Sequence, residues 1–294
     1  VVAIIGEADE VDAFSAESLG LSAVTFSPEQ FNAIRDKYGS GQLLDAARLA
    51  FNPSNDPSIT GGAQQLVVLK TNQSVKASLA VPAYGTVSAL KAGEKGNNIS
   101  LQIDSAPGSK RIITVADSVR GISEVSDALG QKTVFTIQAV EGAVSSATMT
   151  ISATHLTTVL VGAITTSPLN IKLSNFNTVS QLVDFINNQS GYVATIPNAD
   201  QQSALLSTLD RHVAADIKTA PFSVLRDVQD VKDFLAQSSL VSFVATATVG
   251  LPATMVKTFL SGGVLGATSN ANIQDCFDAL LKLRVNFVVP LFSR

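Results

Sequence analysis

Few residues in this sequence have the types and spacing that catalysis needs. The chain contains two histidines, His155 and His212, and a Ser/His/Asp site would have to use one of them. His155 lies in a threonine-rich stretch and His212 follows Asp210-Arg211, so each is interpreted as a surface histidine or one with satisfied hydrogen bonds. We therefore predict no catalytic residue and no enzymatic activity.

Metal and cofactor binding are also disfavoured. Two histidines and one cysteine are too few ligands for an ordinary structural zinc site, and a lone cysteine cannot form an internal disulfide. Cys276 lies between Ile273 and Phe277 on one face of a predicted helix, where we expect a small core or interface residue. Residues 6–10 carry one glycine and three acids, which repel phosphate. The glycine cluster at 261–266 lacks the lysine and glycine spacing of a phosphate loop, so we predict no metal and no cofactor.

The composition predicts a folded protein that does not bind nucleic acid. Lys and Arg number 20 against 24 Asp and Glu, and the net charge of -4 argues against neutralisation of phosphates. Hydrophobic residues make up 46% of the chain and charged residues 15%, which excludes disorder. Mean hydropathy is +0.29, yet no run of about 20 apolar residues is present to span a membrane. The longest apolar stretches, 156–164 and 240–251, predict buried strands or interface segments.

Both ends of the sequence fall in apolar strands. The first residue is Val1 rather than methionine, within the stretch VVAIIG, and the chain stops at Arg294 directly after a second apolar run. No basic segment or cleavage site of a signal peptide is visible. We interpret the chain as a protease-resistant or truncated fragment of a longer protein, released by a trypsin-like protease.

Residues 1–80 alternate between strands and helices. Ser27-Pro28-Glu29-Gln30 predicts a helix start, because Ser27 can cap, proline suits the first helical position and Gln30 can complete a capping box. The predicted elements are a strand at 1–6, a helix that places Phe31, Ile34 and Tyr38 on one face and stops at Gly39, a helix at 43–50 and a buried strand at 65–69. Helices that cover a sheet explain this pattern.

The middle of the chain has a different, strand-rich sequence pattern. The alternation of strands and helices returns after residue 258. Ser, Thr and Val dominate the middle region. Short strands are predicted at 98–103, 111–115, 133–140, 147–153 and 170–173, and helices at 179–187 and 224–235. At the end, Asn272 is predicted to cap a helix that ends near Lys282 and Arg284, followed by a buried strand at 285–289.

The length of 294 residues also favours two domains. We predict an α+β or α/β fold, in which residues 1–82 plus 259–294 form an α/β sandwich-like domain that is incomplete at its C-terminus. Residues 83–258 form an inserted β-rich domain.

The glycine-rich segments at the two crossings between these domains carry a resemblance. Tyr84-Gly85-Thr86, then Gly96-Asn97 and an alternating strand, resembles a motif of the contractile tail sheath proteins of bacteriophages. Three further stretches agree in the same order. They are Ser261-Gly262-Gly263 with Gly266 and a strand that ends at Pro290, the opening VVAIIG followed by acids, and the helix at 178–187.

The chain departs from the sheath pattern at several positions. Glu10-Val11-Asp12 stands where the family commonly has Gly-Pro, and Leu265 occupies a place that is often polar or acidic. Residues 104–176 match no pattern of the family. The C-terminal portion of a sheath protein, which adds strands and arms that link subunits, would lie beyond Arg294.

The resemblance implies a mechanical function and no enzyme. Sheath subunits stack as hexameric rings around a tail tube above a baseplate, and contraction drives the tube through the host envelope for genome ejection. The implied partners are neighbouring subunits, the tube protein and the baseplate, with no nucleic acid, no membrane span and no cofactor. The implied location is the virion tail, after assembly in the bacterial cytoplasm. We expect this fragment to be monomeric.

Several alternatives stay open. The sheath of a phage-derived contractile injection machine has the same pattern, a surface adhesive protein could carry the β-rich insertion, and a flavodoxin-like or hydrolase-like enzyme would need a concave site at the strand ends. For a sheath, the important residues lie at subunit interfaces. Charged candidates, which are equally well interpreted as solvated faces, are Arg35, Lys37, Asp227, Asp230 and Asp233.

Overall fold

The structure is a computed structural model that describes residues 1–11, 24–54, 58, 61–163 and 165–291. These residues form eighteen strands and five α-helices. The strands are β1 (Val2–Gly6), β2 (Thr25–Phe26), β3 (Leu66–Lys70), β4 (Ser78–Val81), β5 (Gly85–Ala89), β6 (Ile99–Ala106), β7 (Lys110–Asp117), β8 (Ile122–Val125), β9 (Phe135–Ala139), β10 (Val144–Ile151), β11 (His155–Gly162), β12 (Asn170–Lys172), β13 (Tyr192–Thr195), β14 (His212–Asp216), β15 (Phe222–Val224), β16 (Val241–Ala245), β17 (Met255–Phe259) and β18 (Phe287–Pro290). The helices are α1 (Phe31–Tyr38), α2 (Gln42–Phe51), α3 (Val179–Asn187), α4 (Asp227–Ala236) and α5 (Asn270–Leu280).

The two ends of the described chain meet in one sheet of order β18-β1-β3-β2. Strands β18, β1 and β3 are parallel, and β2 is antiparallel to β3. The apolar run of β1 is buried on both sides, which is typical of a parallel strand covered by helices. Ala3 and Ile5 pack in a cluster with Cys276 of α5, whereas Ile4 packs on the other side with Ile34 of α1. Helices therefore cover both faces of this sheet.

The helix start predicted at residues 27–30 is confirmed. The Ser27 backbone N–H donates to Gln30 Oε1 at 2.9 Å, and Pro28 opens a short 3-10 turn that leads into α1. Gly39 ends this helix with a φ of 77°, a conformation that glycine adopts without the steric cost that other residues meet. Helix α3 is confirmed over the predicted residues 179–187, with the Thr178 hydroxyl as its cap.

We call the sheet of β18, β1, β3 and β2 the end sheet. The part of the chain between β3 and β18 forms four antiparallel sheets, and their side chains form two separate cores. Sheets β16-β5-β4 and β17-β6-β7-β8 share one core with α4. Sheets β12-β11-β10-β14 and β13-β9-β15 share the other core with α3. The first core includes Val87, Leu101, Val115 and Leu235, and the second includes Phe135, Met149, Leu156 and Ile186. The mixed α/β character of the chain is confirmed.

Three local predictions near helix ends are wrong. The helix predicted over 224–235 begins only at Asp227, because residues 222–224 pair with β9 as β15. Ser269, and not Asn272, caps α5: the Ser269 hydroxyl accepts from the Asn272 backbone N–H at 3.1 Å. Helix α5 ends at Leu280, so Lys282 and Arg284 lie beyond it.

The last strand is exposed and not buried as predicted. The side chain of Phe287 is 69% exposed, and those of Val288 and Val289 are 42% and 41% exposed. The apolar sequence of 285–289 is typical of a buried strand, but β18 lies at an edge of its sheet and pairs only with β1 among the described residues. Among all the residues that the structure describes, no helix is both long enough and apolar enough to cross a bilayer.

Candidate functional site: the junction of the glycine motifs

The chain leaves the end sheet after β3 and returns to it before α5, and these two segments lie side by side. Val75 and Val264 exchange backbone hydrogen bonds at 2.9 and 3.3 Å. Ser78 and Ser261 exchange a second pair at 2.8 and 3.0 Å. The motif segment 261–266 is therefore one side of a short antiparallel ladder, in a region that we call the junction (residues 7–10, 70–78, 91–97 and 261–268).

Two motifs that are 166 residues apart in the sequence meet at the junction. Asn97 Nδ2 donates to the Gly263 carbonyl at 2.8 Å, and the Gly263 N–H donates to Asn97 Oδ1 at 2.9 Å. A Cβ on Gly263 would lie 2.6 Å from the Gly93 carbonyl oxygen, and a Cβ on Gly96 would lie 2.9 Å from Ala77 Cβ. Only glycine allows these backbones to approach so closely.

Asn72 holds three segments of the junction together. Its Oδ1 accepts from the Ala8 N–H at 3.0 Å, and its Nδ2 donates to the carbonyls of Ala8 at 3.0 Å and of Leu265 at 2.8 Å. The Ser74 hydroxyl donates to the same Leu265 carbonyl at 3.0 Å. These bonds use the backbone carbonyl of Leu265. They therefore do not depend on its side chain, which departs from the family pattern.

Buried Lys70 adds a positive charge to the same region. Its ammonium donates to Ser74 Oγ at 2.6 Å and to the Val11 carbonyl. The sequence reasoning missed Lys70, Asn72 and Ser74. The signal that could have found them is a polar run directly after a buried strand, where the end of a parallel strand places polar groups at one edge of the sheet.

The acids after β1 also belong to the junction. Glu10 pairs with Lys91 at 2.6 Å, and Asp9 pairs with Lys95 at 3.3 Å. Glu7 Oε1 accepts from the Thr268 hydroxyl at 2.6 Å. In open α/β sheets, ligands bind at the carboxyl ends of parallel strands. Here the returning segment of the chain occupies that edge at β1 and β3.

The Tyr-Gly-Thr motif lies apart from the junction, on β5. The Tyr84 ring stacks on Phe243 with 6.0 Å between centroids, its hydroxyl donates to the Gly250 carbonyl at 3.1 Å, and burial raises its pKa. A Cβ on Gly85 would lie 2.4 Å from the Val244 carbonyl oxygen, so glycine is required for the pairing of β5 with β16.

Thr86 and Pro290 are exposed, at the second position of β5 and at the end of β18. The structure thus brings together Gly96, Asn97, Ser261, Gly262, Gly263 and Gly266, and it places Tyr84, Gly85, Thr86 and Pro290 elsewhere.

The charged residues proposed as interface candidates on solvated faces differ in their burial and in their partners. Arg35 is exposed, but Asp227 is buried, so its assignment to a solvated face is wrong. Asp227 lies in the first turn of α4, which packs inward, and its carboxylate accepts from the Gln131 backbone N–H at 2.6 Å and from Gln131 Nε2 at 3.0 Å. Asp230 and Asp233 both pair with Arg226.

The stability of the protein is expected to depend on pH through Asp227. Burial, together with the negative charge of Asp210, raises the pKa of Asp227 above its ordinary value. The folded protein therefore binds this proton more tightly than the unfolded chain, and the resulting stabilisation is present at low pH and is lost as pH rises through the folded pKa. The free energy of unfolding of the native protein, relative to Asp227→Asn, should increase between pH 7 and pH 4 in urea titrations. Parallel pH profiles of the two proteins would contradict this expectation.

The interpretation of His212 as a surface or hydrogen-bonded histidine is wrong, because its Nε2 is buried and has no hydrogen-bond partner among the described residues. His155 Nδ1 lies 2.9 Å from the Thr154 hydroxyl, and the His212 ring packs edge-on against Phe222 at 4.9 Å. Cys276 is buried in the core, as predicted, with its Sγ 3.8 Å from the Lys70 carbonyl oxygen. In the part of the chain that the structure describes, no three residues of the types His, Cys, Asp and Glu are grouped so as to hold a metal ion.

The Cys276 thiol is expected to resist modification while the protein is folded. Burial raises its pKa to about 12, and the reactive species is the thiolate. A thiol-disulfide reagent at pH 8 should label the native protein far more slowly than the urea-unfolded protein. Equal labelling rates in the two states would show that Cys276 is accessible.

Comparison with known proteins agrees with the motif resemblance. No protein-family profile matches the chain. The sequence is similar to a structural protein of bacteriophage tails, and so the predicted resemblance to phage tail sheath proteins is confirmed. The relative is the tail sheath protein of Bacillus phage SP01, which is 26% identical over 264 residues that cover 87% of this chain and 45% of the relative. The chain thus spans less than half the length of this relative.

Two solved structures are also similar to this chain. The sheath tail protein of Listeria innocua is 13% identical with a TM-score of 0.41, over 98% of this chain and 39% of that chain. The sheath tail protein of Desulfitobacterium hafniense is 12% identical with a TM-score of 0.40, over 98% of this chain and 41% of that chain.

Proposed function

We propose that this chain is the body of a contractile tail sheath subunit. In this proposal the subunits form stacked hexameric rings around the tail tube, and contraction of the sheath drives the tube through the host envelope. The observation that carries the proposal is the similarity to a phage tail sheath protein over 87% of the chain. The function is structural and not enzymatic, and it uses no cofactor.

The junction supports a mechanical role. The two crossings of the chain are tied by four backbone hydrogen bonds between residues 75–78 and 261–264, and by the amide pair of Asn97 and Gly263. Hydrogen bonds between segments that are distant in the sequence resist separation, because each of them stabilises the contact by about 1 kcal/mol. We propose that residues 1–82 plus 259–294 and the inserted residues 83–258 move as one body, and that contraction changes the contacts between subunits.

The partners in this proposal are neighbouring subunits, the tube protein and the baseplate. The location is the virion tail, after assembly in the host cytoplasm. Exposed apolar side chains support contacts with other proteins. Phe287, Val288 and Val289 lie on β18, at a sheet edge that no other described strand covers.

Electron microscopy tests the proposed function. The protein is expressed in a longer form, with the sequence that flanks this chain in its source, and is compared with the 294-residue chain. We expect striated tubes from the long form and no tubes from the 294-residue chain. A long form that stays monomeric, both alone and with the tube protein added, would contradict the sheath function.

A further inference from the structure

A cavity of about 330 Å³ opens beside the junction. It lies between the end of β5, the turn after β7 and the segment before β16. Its wall is mainly apolar, and Val119 at the rim is 74% exposed. The apolar lining residues are Ala89, Leu90, Ala92, Ile99 and Leu240. A single bulky apolar side chain fits a cavity of this size and lining.

Three cations surround the cavity, and each is paired with a carboxylate that lies deeper in the protein. The cationic side chains are 53%, 52% and 50% exposed, whereas their carboxylate partners are 12%, 25% and 2% exposed. The pairs are Lys91 with Glu10, Lys95 with Asp9, and Arg120 with Asp117. Because the positive member of each pair faces solvent, the mouth of the cavity attracts an apolar group that is flanked by negative charge.

The outer face of α5 has the complementary chemistry. Phe277 and Leu281 are exposed one turn apart, with Leu281 84% exposed directly after the last residue of the helix. Asp275 and Asp278 are exposed on the same helix. Asp278 lies beside Phe277 and Leu281 on this face, whereas Asp275 lies at its flank, because residues two apart on a helix point to different sides. Lys282 follows Leu281 beyond the end of the helix.

The cavity and the outer face of α5 lie on opposite sides of the end sheet. Helix α5 packs on the face of Ala3 and Ile5, whereas α1 packs on the face of Ile4. The cavity is on the α1 side, because Lys91 Nζ, at its mouth, donates to the Asp36 carbonyl of α1 at 2.8 Å. The end sheet therefore separates the two surfaces within one molecule. A contact between them joins copies head to tail, in a ring or a helical array.

We propose that α5 of one copy docks against this cavity in a second copy of the chain, with the apolar side chains of Phe277 and Leu281 at the cavity and Asp275 and Asp278 facing its cationic rim. This contact deepens the proposed function, because a sheath needs head-to-tail contacts between its subunits. Charge complementarity and the opposite positions of the two surfaces select a second copy as the occupant.

Disulfide trapping between variants that each carry one added, exposed cysteine tests the contact. The variants are Leu281→Cys on α5 and Val119→Cys at the cavity rim, and the native Cys276 is buried and does not interfere. In the matched control, Val159→Cys takes the place of Leu281→Cys. The native Val159 side chain lies on β11 and is 63% exposed. After mild oxidation, we expect at least several-fold more dimer from the Leu281→Cys and Val119→Cys mixture than from the control mixture. Equal yields in the two mixtures would overturn the proposal.

Two further variants define the contact. A chain that carries both Leu281→Cys and Val119→Cys should give a ladder of oligomers, since a head-to-tail contact does not close on itself at the dimer. Asp275→Lys combined with Asp278→Lys should abolish the ladder, and a ladder that persists would overturn the proposal. In the long form, tubes that still form with both lysine substitutions would overturn this contact and leave the sheath function intact, whereas a long form that makes no tubes without substitutions contradicts the function itself.

Discussion

Replacement of Gly266 by alanine is expected to destabilise the protein by about 3 kcal/mol or more. Gly266 has a φ of 73°, and a Cβ at this position would lie 1.6 Å from the Gln73 carbonyl oxygen. The neighbour is backbone and is part of the segment that leaves β3, so a side-chain rotation cannot relieve the clash. The two crossings of the chain would have to separate, with the loss of the hydrogen bonds between Val75 and Val264.

Gly262→Ala is the matched control for this experiment. Gly262 belongs to the same motif and has a φ of 81°, but apart from its chain neighbours no described residue has an atom within 4 Å of the added Cβ. Its substitution should cost only the conformational penalty of about 1 kcal/mol. Urea unfolding of both variants measures the difference, and Gly266→Ala should lower the midpoint markedly more. Equal shifts would show that the close approach at Gly266 does not contribute to stability.

Asn72→Ala is expected to have a comparable effect, of about 3 kcal/mol or more. The substitution leaves the N–H and the carbonyl of Ala8 without their buried partner, and the Leu265 carbonyl keeps only the bond from the Ser74 hydroxyl. Each unsatisfied buried group costs about 1–3 kcal/mol, less where water can enter. Thermal and urea unfolding measure the loss of stability directly.

Two other substitutions control for the role of Asn72. Asn198→Ala removes an exposed asparagine that makes one bond, of 3.2 Å to the Thr133 carbonyl, and should change stability by less than about 0.5 kcal/mol. Asn72→Asp keeps an acceptor for the Ala8 N–H but places a carboxylate against two carbonyls, so it should be as damaging as alanine at neutral pH. A stable Asn72→Ala variant would mean that the junction does not depend on these bonds.

These expectations give the sheath motifs a physical meaning. The motif residues Asn97, Gly263 and Gly266 contribute backbone proximity and hydrogen bonds, and they present no reactive group to solvent. A residue needed for close packing is sensitive to substitution for the same reason as a residue needed for catalysis, so sensitivity alone does not identify an active site. In the proposed sheath function, the junction transmits force between the end sheet and the inserted sheets.

Local structure followed from the sequence where short-range interactions decide it. The N-terminal strand, the capped helix α3 and the helix start at residues 27–30 lie where the sequence predicts them, because caps, proline at the first turn and apolar periodicity act within a few residues. The sheath resemblance was also visible, since four motifs occur in the right order.

Burial depended on the tertiary structure. Asp227 is charged yet buried, because the first turn of α4 packs against the segment of Gln131, and residues 287–289 are apolar yet exposed, because β18 is an edge strand. Residue type does not determine which side chains are covered, since packing comes from distant parts of the chain.

The hydrogen bonds of the junction also depend on the tertiary structure. The glycine motifs, and the change from alternating strands and helices to a strand-rich region, are visible in the sequence. The pairing of Asn97 with Gly263 and the bonds by which Asn72 joins Ala8 to Leu265 are not. These bonds span 64 to 193 residues, and they form only when the sheet has brought the ends of β1 and β3 beside the returning segment. Local propensity carries no information at such separations, and the fold alone decided which polar groups meet.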